Sequence, residues 1–412
     1  MFLTKLAIKN LARHCNRTLI TAIIIAFAIF FYILLDSLVG GMTEMSYQTI
    51  IDYESGHLQV VNEAYWEEEE KLPLENLFSN DTRMMAAIEK IGSYLASSSE
   101  LNFQARLNNG GDELPVIGKG IVPGDFSKVF ALEDQLVEGS MFASGEHRVV
   151  LGKRLAELME LQVGDYITLL VKDKNETFNT IEAEIGGLVH TSNPNVNQNL
   201  VYLPLDLAQK ALNVENNVSK IIIRLKNKNQ APALAVELEK ELAGNDGNLR
   251  VYSWNELEAM SFAEAQKIEN QVILSIILSI AAIAIVNTVI LAALERREEI
   301  GMMKAMGLQN IEVVYTFVLE SVGIGVLGGM IGMALGFVGV WIMVANGVDF
   351  EAIYGMDLSS FGMPVIGKVY GIWNPAAFIK VIAFGIIVSF LASIFPAYQA
   401  ADKDPVQTIY HR

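Results

Sequence analysis

The chain has 412 residues, 52% of them hydrophobic, and a mean hydropathy of +0.34. Its formal net charge of −17 is concentrated in residues 41–267, which contain 35 acidic and 19 basic side chains. Phosphate binding requires a basic patch, so this balance argues against nucleic acid as a partner. The single cysteine, Cys15, excludes an intramolecular disulfide.

Long apolar runs predict four membrane-spanning helices, because about 20 apolar residues are needed to cross a bilayer. The predicted spans are residues 19–40, 268–294, 311–345 and 376–401. The first run is too long for a typical cleaved signal segment, so we interpret it as a retained helix. One span therefore precedes a large polar segment and three follow it.

Basic residues in the short flanking segments predict the orientation of these spans. Residues 1–18 contain no acid and four basic side chains, Lys5, Lys9, Arg13 and Arg17, so they are expected in the cytoplasm. Their four-residue spacing is typical of an amphipathic helix on the inner membrane surface. Alternatively, the charges serve only to set the topology.

Four crossings from that starting point place the remaining segments. Residues 41–267 and the short loop 346–375 are expected outside the cytoplasm. Residues 295–308 and the tail 402–412 are expected inside. The sequence thus predicts a multi-pass membrane protein with both termini in the cytoplasm.

Residues 41–267 predict an α+β domain. Short β-branched or alternating runs indicate strands at 57–61, 167–171 and 220–225, and helical periodicity indicates helices at 81–95 and 230–242. The acidic run 67–70 has no interleaved histidine and is typical of solvated surface, so we predict no metal site. Neither H-E-x-x-H nor G-x-S-x-G occurs, so we expect no catalytic residues and no enzyme activity in this chain.

The third predicted span is rich in glycine. Glycines four residues apart create smooth faces on which a second helix can pack closely. The pattern predicts a helix-packing role, with the partner helix either in the same chain or in a second protomer. The glycines concerned are Gly325, Gly328, Gly329, Gly332 and Gly336.

The segment 295–308 predicts a short charged helix between two spans. Its acids and bases alternate, and Ile300, Met302, Met303 and Met306 supply an apolar side. Such a helix suits docking into a groove on a soluble partner, although a plain membrane-surface turn is the alternative. The candidate docking residues are Glu295, Arg296, Arg297, Glu298, Glu299, Ile300, Gly301, Lys304 and Gly307.

Four blocks together resemble one protein family. They are residues 148–169 (RVVLGKRLAELMELQVGDYITL), 200–209 (LVYLPLDLAQ), 295–307 (ERREEIGMMKAMG) and 396–406 (PAYQAADKDPV). Each is similar to a segment of the MacB/FtsX family of ABC transporter permeases, also called type VII. The resemblance extends over the whole chain and includes the arrangement of one helix, a domain and three helices.

The resemblance implies a location in the bacterial inner membrane, with residues 41–267 and 346–375 in the periplasm. It also implies a MacB-type periplasmic core domain and a coupling helix, 295–308, seated on an ATPase. The chain contains no G-x-x-x-x-G-K-[ST] motif for ATP phosphates. We therefore expect no bound cofactor, with ATP and Mg in a separate ABC ATPase subunit, as in LolC and LolE. Further expected partners are membrane lipids, a second permease copy or a paralogue, and a periplasmic adaptor or carrier.

The implied function is mechanotransmission, in which the ATPase drives extraction or export of a lipoprotein, lipidic or amphipathic substrate. One alternative is efflux of a peptide or antibiotic through a periplasmic adaptor. Another is FtsX-like signalling, in which the external domain activates a cell-wall hydrolase and transports nothing. The large size of the domain favours transport over signalling.

Overall fold

The computed structural model describes residues 2–13, 15–242, 248–295, 297–355 and 367–402. The chain divides into two compact units. The membrane unit consists of Met1–Thr43, Ala265–Asp349 and Lys368–Arg412. The inserted domain consists of Glu44–Glu264 together with Phe350–Gly367.

Helices occur in both units and strands mainly in the inserted domain. The helices are α1 (Phe2–Arg13), α2 (Cys15–Ile50), α3 (Glu63–Glu67), α4 (Thr82–Glu89), α5 (Pro123–Val129), α6 (Lys153–Leu158), α7 (Pro194–Asn199), α8 (Leu205–Leu212), α9 (Ala231–Leu242), α10 (Glu258–Glu295), α11 (Arg297–Ala305), α12 (Asn310–Asn346), α13 (Phe350–Tyr354) and α14 (Pro375–Asp402). The strands are β1 (Leu58–Asn62), β2 (Phe78–Ser79), β3 (Tyr94–Asn108), β4 (Glu113–Ile121), β5 (Leu136–Gly139), β6 (Arg148–Gly152), β7 (Tyr166–Lys172), β8 (Phe178–Val189), β9 (Leu200–Pro204), β10 (Asn217–Val218), β11 (Lys220–Leu225), β12 (Leu249–Ser253), β13 (Val348–Asp349) and β14 (Lys368–Val369).

Four helices of the described chain are long and apolar enough to cross a membrane. The candidate spans are Thr18–Ser55, which includes the π-helical turn that follows α2, and Lys267–Leu291, Asn310–Asn346 and Pro375–Gln399. The first precedes the inserted domain and the other three follow it. The predicted fold, in which one membrane helix precedes an α+β domain in the chain and three follow it, is therefore confirmed.

Helix α2 is the most enclosed of the four. Its Ile25, Ile29 and Ile33 recur every four residues and are at most 2% exposed, because one stripe of the helix faces the cluster shared with α10, α12 and α14. In its most apolar stretch 44% of the residues are buried, against 11% in α10. Most of the apolar surface of α10 is thus left for lipid or a partner.

Helix α2 continues ten residues beyond the predicted end of its span at residue 40. Gly40 and Gly41 do not end it; a Cβ on Gly41 would lie 2.0 Å from the Tyr370 carbonyl oxygen, so glycine is required there for close approach. The helix then passes into a π-helical turn, Ile51–Ser55, before β1. The chain therefore enters the inserted domain as a helix.

The inserted domain is built on a mixed sheet with the strand order β12-β1-β11-β3-β4-β9-β6-β8-β5. Most neighbours are antiparallel, whereas β4 with β9 and β6 with β8 are parallel. Strand β7 pairs with both β3 and β8. The pairings β3-β4-β9-β6-β8-β7-β3 consequently close into a six-stranded barrel.

The barrel interior is the largest apolar core of the domain. Alternate residues of β3, including Leu101, Phe103 and Leu107, point into it with exposures of at most 1%. A second core lies under α4 and α9, where β1, β11 and β12 contribute Leu58, Ile221 and other aliphatic side chains. The domain therefore has its own hydrophobic core.

One predicted helix of this domain is too long. The sequence predicts a helix over 81–95, whereas α4 ends at Glu89 and β3 begins at Tyr94. Asp81 caps α4 by accepting a hydrogen bond from the Arg83 backbone N–H at 3.3 Å. Between α4 and β3, Ser93 has a φ of +66°, a left-handed conformation that redirects the chain into the strand.

Candidate functional site: the α11 helix and the glycine face of α12

The C-terminal end of α11 is held against its neighbours. Lys304 Nζ donates a hydrogen bond to the Ala401 carbonyl oxygen of α14 at 2.6 Å. Met303 packs in a small apolar cluster with Val313 of α12. Gly307 follows with a φ of +96°, the left-handed conformation that commonly terminates helices and favours glycine. This end of α11 is thus tied to both α12 and α14.

Apolar side chains beside this anchored end face outward. Met302 is 53% exposed and Met306 is 74% exposed. Ile311 and Tyr315, in the first turns of α12, are also exposed. Exposed large apolar side chains on a short connecting helix are suited to contact with another protein, with methionine adapting to an irregular groove.

The predicted docking residues are only partly described. Glu299 and Lys304 are partly exposed and Gly307 is exposed. Arg296 lies outside the described residues. The structure likewise does not describe the exposure of Gly301 or the side chains of Glu295, Arg297, Glu298 and Ile300. Their role in docking therefore stays a prediction.

The glycine face of α12 packs against α2 of the same chain. A Cβ on Gly328 would lie 2.8 Å from the Ala22 carbonyl oxygen, and one on Gly332 would lie 2.6 Å from the Ala26 carbonyl oxygen. One on Gly336 would lie 2.8 Å from Ile33 Cδ1. Since these glycines recur every four residues, they form one groove in which the backbone of α2 lies.

Two further glycines of α12 face α14. A Cβ on Gly325 would lie 2.9 Å from Ser389 Oγ, whereas one on Gly329 would meet Ile382 at an ordinary 3.7 Å. The stripe therefore packs α12 between two helices of its own chain. Of the two alternatives left open by the sequence, the structure contains the contact within one chain.

Helix α1 packs on the same helix, α12. Asn10 Nδ2 donates a hydrogen bond to Glu320 Oε1 at 2.7 Å. A Cβ on Gly323 would lie 2.7 Å from Leu11 Cδ1, so glycine makes room for α1. Glu320 is 3% exposed and therefore faces protein, as expected for a carboxylate inside an apolar span.

A polar cavity in the inserted domain was not predicted from the sequence. Glu100, Asn102, Lys119 and Lys220 are all less than 8% exposed and line it. They come from β3, β4 and β11, which are distant in sequence and adjacent in the sheet. Alternation of polar and apolar residues along β3 is a detectable signal, but it is normally typical of a solvated sheet face.

Among the described residues, no group of three or more histidine, cysteine, aspartate and glutamate side chains could hold a metal ion. Cys15 is a free, exposed thiol.

Comparison with known families decides the class of this protein. Residues 18–241 match the MacB-like periplasmic core domain, and residues 272–405 match the FtsX-like permease C-terminal region. The chain belongs to the MacB/FtsX family of ABC transporter permeases. Together the two matches include most of the inserted domain and most of each of the four membrane helices of this permease.

The permease is similar to transport proteins of two named types. It is 23% identical over 351 residues to the lipoprotein-releasing system transmembrane protein LolC of Neisseria meningitidis serogroup B, spanning 82% of this chain and 83% of that one. It is 23% identical over 426 residues to the macrolide export ATP-binding/permease protein MacB 2 of Aeromonas hydrophila, spanning 98% of this chain and 60% of that one.

One similar solved structure is the periplasmic region of MacB from Actinobacillus actinomycetemcomitans. The sequence identity is 14% and the TM-score is 0.37, spanning 54% of this chain and 97% of that one.

Proposed function

We propose that this permease is the membrane subunit of a transporter driven by a separate ABC ATPase, which binds ATP and Mg. In this proposal α11 and both termini lie in the cytoplasm, and the inserted domain lies in the periplasm. The permease works as a dimer with a second copy or a paralogue. ATP binding moves α11, and the movement is transmitted to the inserted domain.

The observation that carries the proposal is the anchoring of α11. Its C-terminal end is fixed by the Lys304–Ala401 hydrogen bond and by Met303, while Met302 and Met306 remain exposed. A helix that is exposed on one side and anchored on the other transmits an applied displacement to the helices that anchor it. Those helices are α12 and α14.

The packing of α12 supports transmission through the membrane unit. The glycine groove holds α2 against α12 at backbone distance, so displacement of one helix displaces the other. Both ends of the main segment of the inserted domain, Glu44–Glu264, are helical, since α2 continues to Ile50 and α10 begins at Glu258. A continuous helix transmits movement better than a flexible linker does.

The proposed substrate is a lipoprotein or another lipidic or amphipathic molecule. The support is similarity to LolC over most of both chains, because LolC is named for lipoprotein release. Similarity to MacB 2 over nearly the whole chain supports efflux as the competing function, although this chain spans only 60% of that protein. The two functions differ in cargo and in periplasmic partner.

Docking through α11 is tested by placing a charge on its exposed apolar side. Met302→Lys should lower the amount of ATPase that co-purifies with the permease at least about tenfold, because burying a lysine in an apolar groove costs more than about 1.4 kcal/mol. The combined reversal Arg297→Glu with Glu298→Lys should also abolish co-purification. The measurement is the ratio of ATPase to permease after affinity purification from membranes.

Leu158→Lys is the matched control. Leu158 lies on the inserted domain and is 53% exposed, the same fraction as Met302. This variant should insert into the membrane and recover the ATPase normally. Normal recovery from both the Met302 variant and the charge-reversed variant would contradict docking through α11.

Cargo and partners are tested by purifying the complex from native membranes and analysing it by mass spectrometry. Lipoprotein or lipid in stoichiometric amount, an ATPase subunit and a second permease chain are the expected result. A co-purifying adaptor without bound lipid would support efflux in its place. A cell-wall hydrolase without cargo would contradict transport.

A further inference from the structure

The end of α2 lies against the segment that joins β8 to β9. That segment, residues 190–199, contains α7 and is called the α7 loop. Thr49, one residue before the end of α2, is 5% exposed, and its Oγ1 lies 2.9 Å from Ser192 Oγ in this loop. One of the two hydroxyls donates to the other, so a hydrogen bond connects α2 with the α7 loop.

A second contact with the α7 loop comes from the π-helical turn that follows α2. The Glu54 carboxylate accepts hydrogen bonds from Asn193 Nδ2 at 2.9 Å and from Asn195 Nδ2 at 3.1 Å. The oxygens of both amides have other donors, since Asn193 Oδ1 accepts from the Asn195 backbone N–H and Asn195 Oδ1 accepts from Asn199 Nδ2, each at 2.9 Å. Both amides therefore present N–H groups to Glu54, and hydrogen bonds to an ionised carboxylate are stronger than neutral ones.

The α7 loop is itself fixed to the barrel. The buried Asn197 donates from Nδ2 to the Thr191 carbonyl oxygen at 2.6 Å, and its Oδ1 accepts from the Thr191 backbone N–H at 2.8 Å. A Cβ on Gly152, at the end of β6, would lie 2.2 Å from the Asn197 carbonyl oxygen, so the loop packs on the backbone of that strand. A displacement of the loop is therefore transmitted to β6, β8 and β9.

The end of α2 is thus attached to two separate parts of the sheet. The π-helical turn leads directly into β1, and β11, β3 and β4 lie between β1 and β9 in the strand order. Two other polar contacts of this end also reach the β1 side, because Glu44 pairs with Lys228 and Asp52 pairs with Arg224 of β11, each at 2.6 Å. The contact with the α7 loop instead reaches the barrel strands remote from β1.

The second attachment changes which movements of α2 can reach the barrel. A body attached at one point follows the displacement of that point but can rotate about it, whereas a body attached at two separated points must also follow a tilt. The turn between the two attachments, Ile51–Ser55, is π-helical. Such turns are rare and occur frequently at functional sites. A tilt of α2 should therefore turn the barrel with it.

We propose that Thr49 and Glu54 are positioning residues that transmit the movement of α2 to the barrel through the α7 loop. This inference rests on the proposed function, from which it takes that ATP binding moves α2. It deepens that function by naming the place where the movement enters the barrel, the connection between β8 and β9. Docking of the ATPase at α11 requires neither residue.

The proposal is tested by hydrogen exchange on the full-length permease purified with its ATPase, with and without Mg and the ATP analogue AMP-PNP. The readout is the difference that the analogue causes at residues 44–50 of α2 and at residues 190–204. Both differences are expected in the unchanged permease. Thr49→Val with Glu54→Ala removes the hydrogen bonds to the α7 loop, so the difference at 44–50 should remain and that at 190–204 should be lost.

Gln48→Ala is the matched control. Gln48 precedes Thr49 on α2, and its side chain donates to Glu44 of the same helix at 3.2 Å. This variant should keep both differences. Folding of every variant is checked by hydrogen exchange of β3 and β4 without nucleotide.

A disulfide should restore the connection in the absence of the Glu54 carboxylate. Cys15 is the single cysteine of the chain, so Cys15→Ser gives a background without thiols. In that background, Thr49→Cys with Ser192→Cys places two thiols where the hydroxyl oxygens are 2.9 Å apart, and Glu54→Ala removes the second contact. The difference at residues 190–204 should be absent while the pair is reduced and present once it is oxidised. A purely stabilising role of Thr49 and Glu54 does not predict this reversal.

Three results would overturn this inference and leave the proposed function standing. One is a response to AMP-PNP at residues 44–50 but not at 190–204 in the unchanged permease. Another is a difference at 190–204 that persists without the Thr49 and Glu54 contacts, and the third is a difference that the oxidised pair does not restore. Absence of any response at 44–50 in the unchanged permease would overturn the proposed movement of α2 and this inference with it.

Discussion

The glycine face of α12 and the barrel interior are both tightly packed, but by opposite means. On α12 the contact depends on missing side chains, because Gly332 lies against the backbone carbonyl of Ala26. In the barrel the contact depends on large side chains, such as Phe103, which is 1% exposed. Packing against the glycine face is therefore disrupted by adding atoms, whereas packing in the barrel is disrupted by removing them.

The difference follows from the surroundings of each region. Lipid is as apolar as leucine, so helices in a membrane gain little from burying large side chains and gain more from close backbone approach. The inserted domain is stabilised by removing apolar surface from water, which large side chains do best. The chain therefore uses two packing rules, one in each unit.

The largest expected effect is a loss of side-chain volume in the barrel. Phe103 covers Gly118 of the neighbouring strand, where a Cβ would lie 2.2 Å from the Phe103 ring. Phe103→Ala should lower the unfolding free energy of the inserted domain by about 3–5 kcal/mol, because it leaves a cavity. The measurement is hydrogen exchange of β3 and β4 amides in the full-length permease. Tyr166→Ala, at a residue that is 73% exposed on β7, should change it little.

A smaller effect is expected from adding a methyl group to α12. Gly332→Ala forces a contact at 2.6 Å with a backbone oxygen that cannot move aside, so it should destabilise the membrane unit by about 1–3 kcal/mol. Gly329→Ala is the matched control, since its Cβ meets Ile382 at 3.7 Å. It should be neutral or slightly stabilising, because alanine favours helix. The readout is the thermal unfolding midpoint in detergent, and equal midpoints would contradict the groove.

The smallest expected effect is a loss of stability of the inserted domain as the pH falls. Burial, together with the positive charge of Arg224, lowers the pKa of His57 in the inserted domain from 6.5 to about 4. Its Nδ1 accepts a hydrogen bond from the Leu225 backbone N–H at 2.9 Å. The unfolded chain therefore binds the proton first as the pH falls, so stability is full above pH 6.5 and declines towards pH 4.

Between about pH 7 and pH 5.5 the loss should be about 1 kcal/mol. Hydrogen exchange of β1 and β11 at the two pH values measures it. His57→Asn keeps an acceptor without titrating there and should remove most of this dependence. His147→Asn, at an exposed histidine, should leave it intact. An unchanged pH dependence in the His57 variant would assign the effect to other groups.

Much of the fold was predictable because short runs of residues carry strong local signals. Uncharged runs predicted the membrane helices, and the β-branched run 220–225 predicted β11. The 15-residue strand β3 was not predicted, since its Ser97, Ser98 and Ser99 have little strand preference of their own. Pairing with β11 and β4 decides its conformation.

Of the candidate residues, those whose role depends on one helix were easier to predict than those that depend on several strands. Glycines four apart indicate a smooth face whatever lies against it, so the stripe was visible in the sequence. Lys119 and Glu100 lie on different strands, and only their register brings them to 3.1 Å. Neither residue carries a local signal that it is buried.

The sequence by itself determined the number of membrane helices, their order around the inserted domain and the packing character of α12. These properties depend on hydropathy and on spacing along one helix, which are local quantities. Only the tertiary structure decided that α2 of the same chain fills the glycine groove and that the polar side chains of Glu100 and Asn102 on β3 are buried. Both outcomes depend on which distant segment covers a given face, and that is settled by the packing of the whole unit.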